Sequence, residues 1–157
     1  MTILISHRGN LNGPELSLEN HPNQIDLVIK AGFDCEIDLR IKNDDFFLGH
    51  DEPIYKISMD WLVERNQSLW VHCKDFRSLE KLQESNNSIN YFWHQTDDFT
   101  ITSKGQIWTF PGKSLGRSSI AVLPESIKGS NLWSESNLRA CFGLCTDFPE
   151  KYKTSLS

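Results

Sequence analysis

Residues 34–42 read Asp34-Cys35-Glu36-Ile37-Asp38-Leu39-Arg40-Ile41-Lys42. The alternation makes this a strand, with Ile37 and Leu39 on one face and Glu36 and Asp38 on the other, about 7 Å apart at Cα. Two carboxylates on one face of an otherwise apolar strand are costly unless they are paired or hold a cation. A solvent-facing strand carries the same charges at little cost. Two readings therefore stand at this point, a wetted face or a site for a hard divalent ion.

Outward from this strand the chain alternates. Thr2 to His7 reads as a strand followed by a polar loop from Gly9 to Leu18. Pro22 opens a helix with Ile25, Val28 and Ile29 at helical spacing and Gly32 at the capping position. Phe46 to Leu48 follows the Asn43-Asp44-Asp45 turn as a short strand piece. Met59 to Arg65 reads as a helix, Leu69 to Lys74 as a strand, Phe76 to Ser85 as a helix and Ile89 to His94 as a strand, which is the order of a parallel α/β sheet. Beyond Phe99 the alternation fails. Phe99 to Ser103 and Ile107 to Phe110 flank Lys104-Gly105, and Ser119 to Leu123 follows without room for crossover helices. Trp133 to Ala140 reads as a last short helix and Cys141 to Thr146 as the closing strand. A full eightfold barrel of strands of about 5 residues, helices of about 11 and loops of about 3 needs roughly 176 residues. The chain has 157. A barrel here must have several crossover helices of its second half reduced to loops.

The length implies one domain, residues 1–157, with no linker or repeat to divide it. Sixteen Lys and Arg against 21 Asp and Glu give a net charge of −5, which argues against nucleic acid as the main partner. A mean hydropathy of −0.43 and short apolar runs exclude a helical membrane span. The first residues lack a basic region followed by a long apolar stretch, so a cytoplasmic location is expected. The four cysteines are read as reduced, buried thiols. Cys141 and Cys145 have loose metal-ligand spacing, but no second Cys/His pair stands beside them.

Several chemically active side chains fall at strand ends, where parallel α/β folds place their ligands. His7-Arg8-Gly9 ends the first strand, and Gly49-His50-Asp51 ends the Phe46 segment. Trp70-Val71-His72-Cys73-Lys74 puts His72 and Lys74 on one face of the next strand, with His94 at the end of the one after. Histidine exchanges protons near neutral pH, while Arg8 and Lys74 can meet an anion. Further along, Trp108, Phe110, Lys113 and Arg117 lie near loops that could frame a pocket.

Taken in order, His7-Arg8-Gly9, Glu19-Asn20, Glu36-Ile37-Asp38, Gly49-His50-Asp51, Lys74 and Gly143-Leu144-Cys145-Thr146-Asp147-Phe148-Pro149 resemble the glycerophosphodiester phosphodiesterase family. The resemblance implies a shortened or irregular (β/α)8 TIM barrel of the PLC-like phosphodiesterase type. It implies metal-dependent hydrolysis of a small glycerophosphodiester to glycerol phosphate and an alcohol. Carried across, His7 and His50 become the acid-base pair, Arg8 and Lys74 bind phosphate, and Glu36 and Asp38 ligate magnesium or calcium. Glu19 and Asn20 order the site. Where the family has a third ligand, a glutamate two residues before the lysine, this chain has His72, which either weakens binding of magnesium or calcium, shifts the preference toward manganese or zinc, or stands outside the ligand set. His94 is a further candidate ligand. The His72 departure and the short second half raise an alternative, a barrel remnant that binds a phosphorylated small molecule with weak or no turnover. Apolar strand surface left without helices would be covered by a second copy in a homodimer.

Overall fold

The computed structural model describes residues 2–85, 88–129 and 133–156. The strand at Asp34–Lys42 (β2) is its hub. On one side it pairs in parallel with Ile3–His7 (β1), with His7 opposite Glu36. On the other it pairs in parallel with Leu69–Cys73 (β5), with Asp38 opposite His72. Where β1 ends, the second half of β2 turns back on itself. Asp45–Leu48 (β3) lies antiparallel to Leu39–Lys42, and Tyr55–Ile57 (β4) lies antiparallel to β3. Asn43 and Asp44 link β2 to β3 with φ of 51° and 66°. Two successive left-handed residues suit the twist of a tight hairpin, and Asn and Asp tolerate that conformation best among side-chain-bearing residues.

From β1 the sheet continues through Gly143–Thr146 (β10), Ser119–Val122 (β9) and Ile107–Thr109 (β8), all parallel, to Phe99–Ile101 (β7), which is antiparallel to β8. From β5 it continues to Asn90–Trp93 (β6). The close approach of β1 and β10 requires Gly143: a Cβ there would stand 2.6 Å from Ile3 Cγ1 and 3.0 Å from Ile120 Cδ1. The two margins, β6 and β7, meet through isolated hydrogen bonds. Ser103 N donates to Tyr91 O at 2.8 Å and Thr100 Oγ1 to Trp93 O at 2.8 Å.

The described residues thus form a curled mixed sheet, which overturns the expected (β/α)8 barrel with alternating helices. Five short helices accompany ten strands: Pro22–Lys30 (α1), Met59–Glu64 (α2), Phe76–Glu84 (α3), Glu135–Ala140 (α4) and Pro149–Leu156 (α5). No described helix lies between β6 and β9. The turn at Lys104-Gly105 folds β7 onto β8, and a second turn at Pro111-Gly112, closed by Lys113 N donating to Phe110 O at 3.2 Å, starts the crossing to β9. Three antiparallel strands, β3, β4 and β7, stand where barrel geometry asks for helical crossovers.

The helices that do form are firmly capped. His21 accepts Asn23 N ahead of Pro22 at the start of α1, and Asp75 accepts Ser78 N at 2.7 Å to start α3. Asp75 also accepts Ile41 N at 2.9 Å, which ties α3 to the end of β2. On the outer face of the sheet, Ile25, Val28, Leu62 and Leu82 are buried with Ile37, Leu39 and Val71. Each such side chain contributes about 1.5–3 kcal/mol of burial. Inside the curl lies a second cluster of Ile5, Trp70, Phe92, Trp108, Ile120 and Cys145. It forms a dry floor beneath the ends of the parallel strands. No described helix is long and apolar enough to cross a membrane.

Candidate metal and phosphate site

Above that floor opens a cavity of about 590 Å3 at the C-terminal ends of the parallel strands. Its two walls differ in chemistry. One carries His7, Arg8, Glu36, Arg40, His50, His72 and Lys74; the other carries Trp108, Phe110, Pro111, Val122 and Leu123. The period-two alternation of β2 and β5 produces the polar wall: Glu36, Asp38 and Arg40 share one face of β2, and His72 and Lys74 share one face of β5.

Glu36 and Asp38 are 2 % and 0 % exposed, so the wetted-face reading fails and the charges are buried. Glu36, Asp38 and His72 each offer one ligand atom, all within 4.8 Å of one another. His72 Nδ1 stands 3.4 Å from Asp38 Oδ1 and 3.7 Å from Glu36 Oε1. Its Nε2 lies 2.9 Å from the carbonyl oxygen of His94. A carbonyl only accepts, so Nε2 carries the hydrogen and Nδ1 faces the two carboxylates. Asp38 Oδ1 is buried without a hydrogen-bond donor, while Asp38 Oδ2 accepts Asn20 Nδ2 at 2.9 Å. A buried acceptor left open beside a second carboxylate and an imidazole nitrogen fits a divalent cation. The mixed oxygen and nitrogen set admits manganese or zinc as well as magnesium.

Cations border this cluster. Arg8 Nε lies 3.1 Å from Asp38 Oδ2 and Lys74 Nζ 3.6 Å from Asp38 Oδ1. Burial works to raise the Asp38 carboxyl, but His72, Arg8 and Lys74 override it and hold it well below the ordinary carboxylate range. Glu36 is raised, first by burial and then by the charge of Asp38, against the pull of His7, His72 and Arg8. The pair therefore holds one firmly ionised carboxylate and one that keeps its proton more readily.

The two histidines at the mouth are held differently. His7 Nδ1 is 2.8 Å from Asp147 Oδ1, which also accepts Asn10 Nδ2 at 2.8 Å. Burial would lower His7, but the bond to Asp147 and the charge of Glu36 raise it overall. Asp147 is itself fixed through its backbone, whose N–H donates to Glu125 at 2.8 Å. His50 is 2.7 Å from the exposed Asp51, and burial together with Arg8 lowers it. Its loop is held by Arg40, which donates to the carbonyl oxygens of Gly49, at 3.0 Å, and His50. Gly49 is required there: at φ 150° a Cβ would stand 2.0 Å from Glu52 O.

Arg8, Asn20 and Leu123 adopt left-handed backbone at φ 53°, 60° and 45°, and all three serve the cavity. Such residues cost about 1–2 kcal/mol each and persist where surrounding bonds fix them. Arg8 N donates to Glu36 Oε2 at 3.2 Å, and Asn20 N donates to Arg8 O at 2.9 Å. Glu19 pairs with Arg8 Nη1 at 3.2 Å and accepts Asn10 Nδ2 at 3.0 Å.

The structure thus brings together His7, Arg8, Glu36, Asp38, His50, His72 and Lys74, with Glu19 and Asn20 behind them. His94 enters through its carbonyl; its ring turns to Asp97 O at 2.7 Å and stacks on Phe110 at 6.1 Å. Trp108 and Phe110 line the cavity, but Lys113 pairs with Asp98 at 2.9 Å and Arg117 is exposed away from it. Cys141 and Cys145 are buried free thiols, as are Cys35 and Cys73. Arg40, Asn10, Glu125 and Asp147 are the further site residues. Arg40 was reachable from its shared face with Glu36 and Asp38, whereas Asp147, although inside the Gly143–Pro149 motif, reaches His7 across 140 residues by a contact that local pattern does not show. Comparison with protein-family models, curated proteins and solved structures returns no match.

Proposed function

We propose that the protein is a metal-dependent hydrolase of small phosphodiesters, of the glycerophosphodiester kind its motifs resemble. The observation that carries this reading is the open acceptor of Asp38 beside Glu36 and His72, bordered by Arg8 and Lys74. Buried carboxylates with a cation attract a phosphate, and flanking guanidinium and ammonium groups neutralise its other oxygens. Glu36, Asp38 and His72 would hold a divalent ion, which would supply Lewis-acid charge for the phosphate.

The residues of the chain do the rest. Arg8 and Lys74 orient the phosphate. His50, lowered and neutral, takes the proton of the attacking hydroxyl, either water or a hydroxyl of the substrate. His7, raised and supported by Asp147, gives its Nε2 proton to the leaving alkoxide. The apolar wall excludes water from the side opposite the charges.

The test is release of alcohol from glycerophosphodiesters by chelated protein resupplied with magnesium, calcium, manganese or zinc. Ion-dependent release that falls about 10²-fold or more in His7→Ala and His50→Ala supports hydrolysis. The exposed partner of His50, Asp51, favours a second reading in which the site binds a phosphorylated small molecule without turnover. Binding with no release under any ion assigns that second reading. Neither binding nor release ends both.

A further inference from the structure

The wall opposite the metal cluster has been given no part beyond excluding water, yet its rings are ordered in a stack. Trp108 stacks on Phe92 at 4.3 Å between ring centroids, and Phe92 stacks on His72 at 5.0 Å with the rings within 12° of parallel. Above Trp108, Phe110 belongs to none of the core clusters and stays 45 % exposed at the cavity lip, its ring partner among the described residues being His94 at 22°. Leu123, which also lines the cavity, is held in left-handed backbone, its N–H donating to Cys145 O at 2.7 Å and its carbonyl accepting Ser126 Oγ at 2.7 Å. An exposed aromatic ring at the lip of a cavity whose lining also includes Leu123 offers an apolar surface to a ligand.

The partner can be described by its chemistry. The cavity, at about 590 Å3, lies within the range of about 300–1,000 Å3 that takes drug-sized ligands. Among the described lining residues Glu36 is the one carboxylate, and it sits in the metal cluster. A cationic headgroup on the Trp108–Phe110 side would face Arg40 and Lys74 across the cavity, and no carboxylate among the described lining residues stands on its own side. Among the described residues Arg40 donates to carbonyl oxygens and makes no ion pair, so its charge is not cancelled by a carboxylate. An uncharged flat ring stacks on Phe110 and packs on Leu123 with no such penalty.

We propose that this wall selects phosphate esters whose alcohol carries a flat, uncharged aromatic ring. The proposal rests on the phosphoester reading of the polar wall and adds what the opposite wall recognises. The chain, with manganese present, is titrated calorimetrically with methyl phosphate, benzyl phosphate and phosphocholine. The expected result is binding of all three, with benzyl phosphate tighter than the other two by about tenfold or more. In Phe110→Ala the ratio of benzyl to methyl affinity falls toward one, and in Phe110→Trp it is kept. Equal affinities for benzyl and methyl phosphate overturn the ring proposal and leave the phosphoester reading standing. Tightest binding of phosphocholine overturns it in favour of a cation box. Failure of methyl phosphate to bind overturns the phosphoester reading itself and this proposal with it.

Discussion

Asn20 clasps Asp38 at two points, its Nδ2 donating to Asp38 Oδ2 at 2.9 Å while its Oδ1 accepts Asp38 N at 2.8 Å. Both residues are buried, and one amide thereby fixes both the backbone and the carboxylate of the central ligand. Asn20→Ala leaves a buried N–H without an acceptor, at a cost of about 1–3 kcal/mol. It also frees the carboxylate to turn, which lowers metal affinity about 10–100-fold. Urea unfolding and manganese titration read the two effects separately. Unchanged manganese affinity in this variant removes Asn20 from the site.

Glu36 gives a prediction of sign. Its raised carboxyl means that the folded state disfavours ionisation, so without metal its charge subtracts from stability as pH rises through its ionisation. Metal-free Glu36→Gln is therefore more stable than the parent at pH 7, and the gap closes toward pH 4. Manganese at a hundred times its Kd adds about 2.7 kcal/mol to the parent. That raises Tm by roughly 5–10 °C in a chain of this size. The rise shrinks in acid, where Glu36 holds a proton, and is lost in Glu36→Gln and Asp38→Asn. A thermal shift equal in parent and variants places the ion elsewhere.

The two histidines set opposite limbs of the rate profile. His50 acts neutral, so activity falls as pH drops through its lowered value, below 6.5. His7 acts protonated, so activity falls as pH rises through its raised value, above 6.5. A plot of kcat/KM against pH is then bell-shaped. Asp147→Asn removes the charge behind His7 and moves the alkaline limb to lower pH while the acid limb stays. A shift of the acid limb instead exchanges the roles of the two histidines.

Arg40 is a positioning residue for His50 through the two carbonyls it holds. Its planar fork makes both bonds at once, which an ammonium cannot reproduce. Arg40→Lys and Arg40→Ala each lower kcat by about 10²-fold, the usual effect of a catalytic group misplaced by about 1 Å. The acid limb of the profile moves as well, because His50 sits in a changed setting. A wild-type profile in Arg40→Lys argues for a purely structural role.

Much of the site was legible because β2 and β5 alternate cleanly: Glu36 had to share a face with Asp38, and His72 with Lys74 just past the strand end, while the register that sets Asp38 opposite His72 joins the two pairs. The first-half elements follow from local signals as well, with Pro22 and Asp75 marking helix starts and Asn43-Asp44 a turn. The architecture was less legible. The direction of β3 and β7 depends on turns that send the chain back, and the strand-helix order of the first half suggested helical crossovers that the short loops after β6 do not supply. The strand at Tyr55–Ile57 is only three residues long and shows no period to read. His94 looked like a ligand because strand ends attract attention, yet its ring is claimed by Asp97 and Phe110. Asp147 and Glu125 matter through contacts that only the closed sheet makes.

The pairing of β1 with β10 also dictates an order of assembly. The β2–β3–β4 hairpins join neighbours in sequence and form without long loops, whereas Ile3 must find Gly143 across nearly the whole chain. During synthesis the carboxylates and His72 emerge, and can gather an ion, well before Asp147 exists to support His7. A chain interrupted before residue 143 carries Glu36, Asp38, His72, Arg8 and Lys74 but lacks Asp147, so in the proposed function it would lack the group that supports proton transfer by His7.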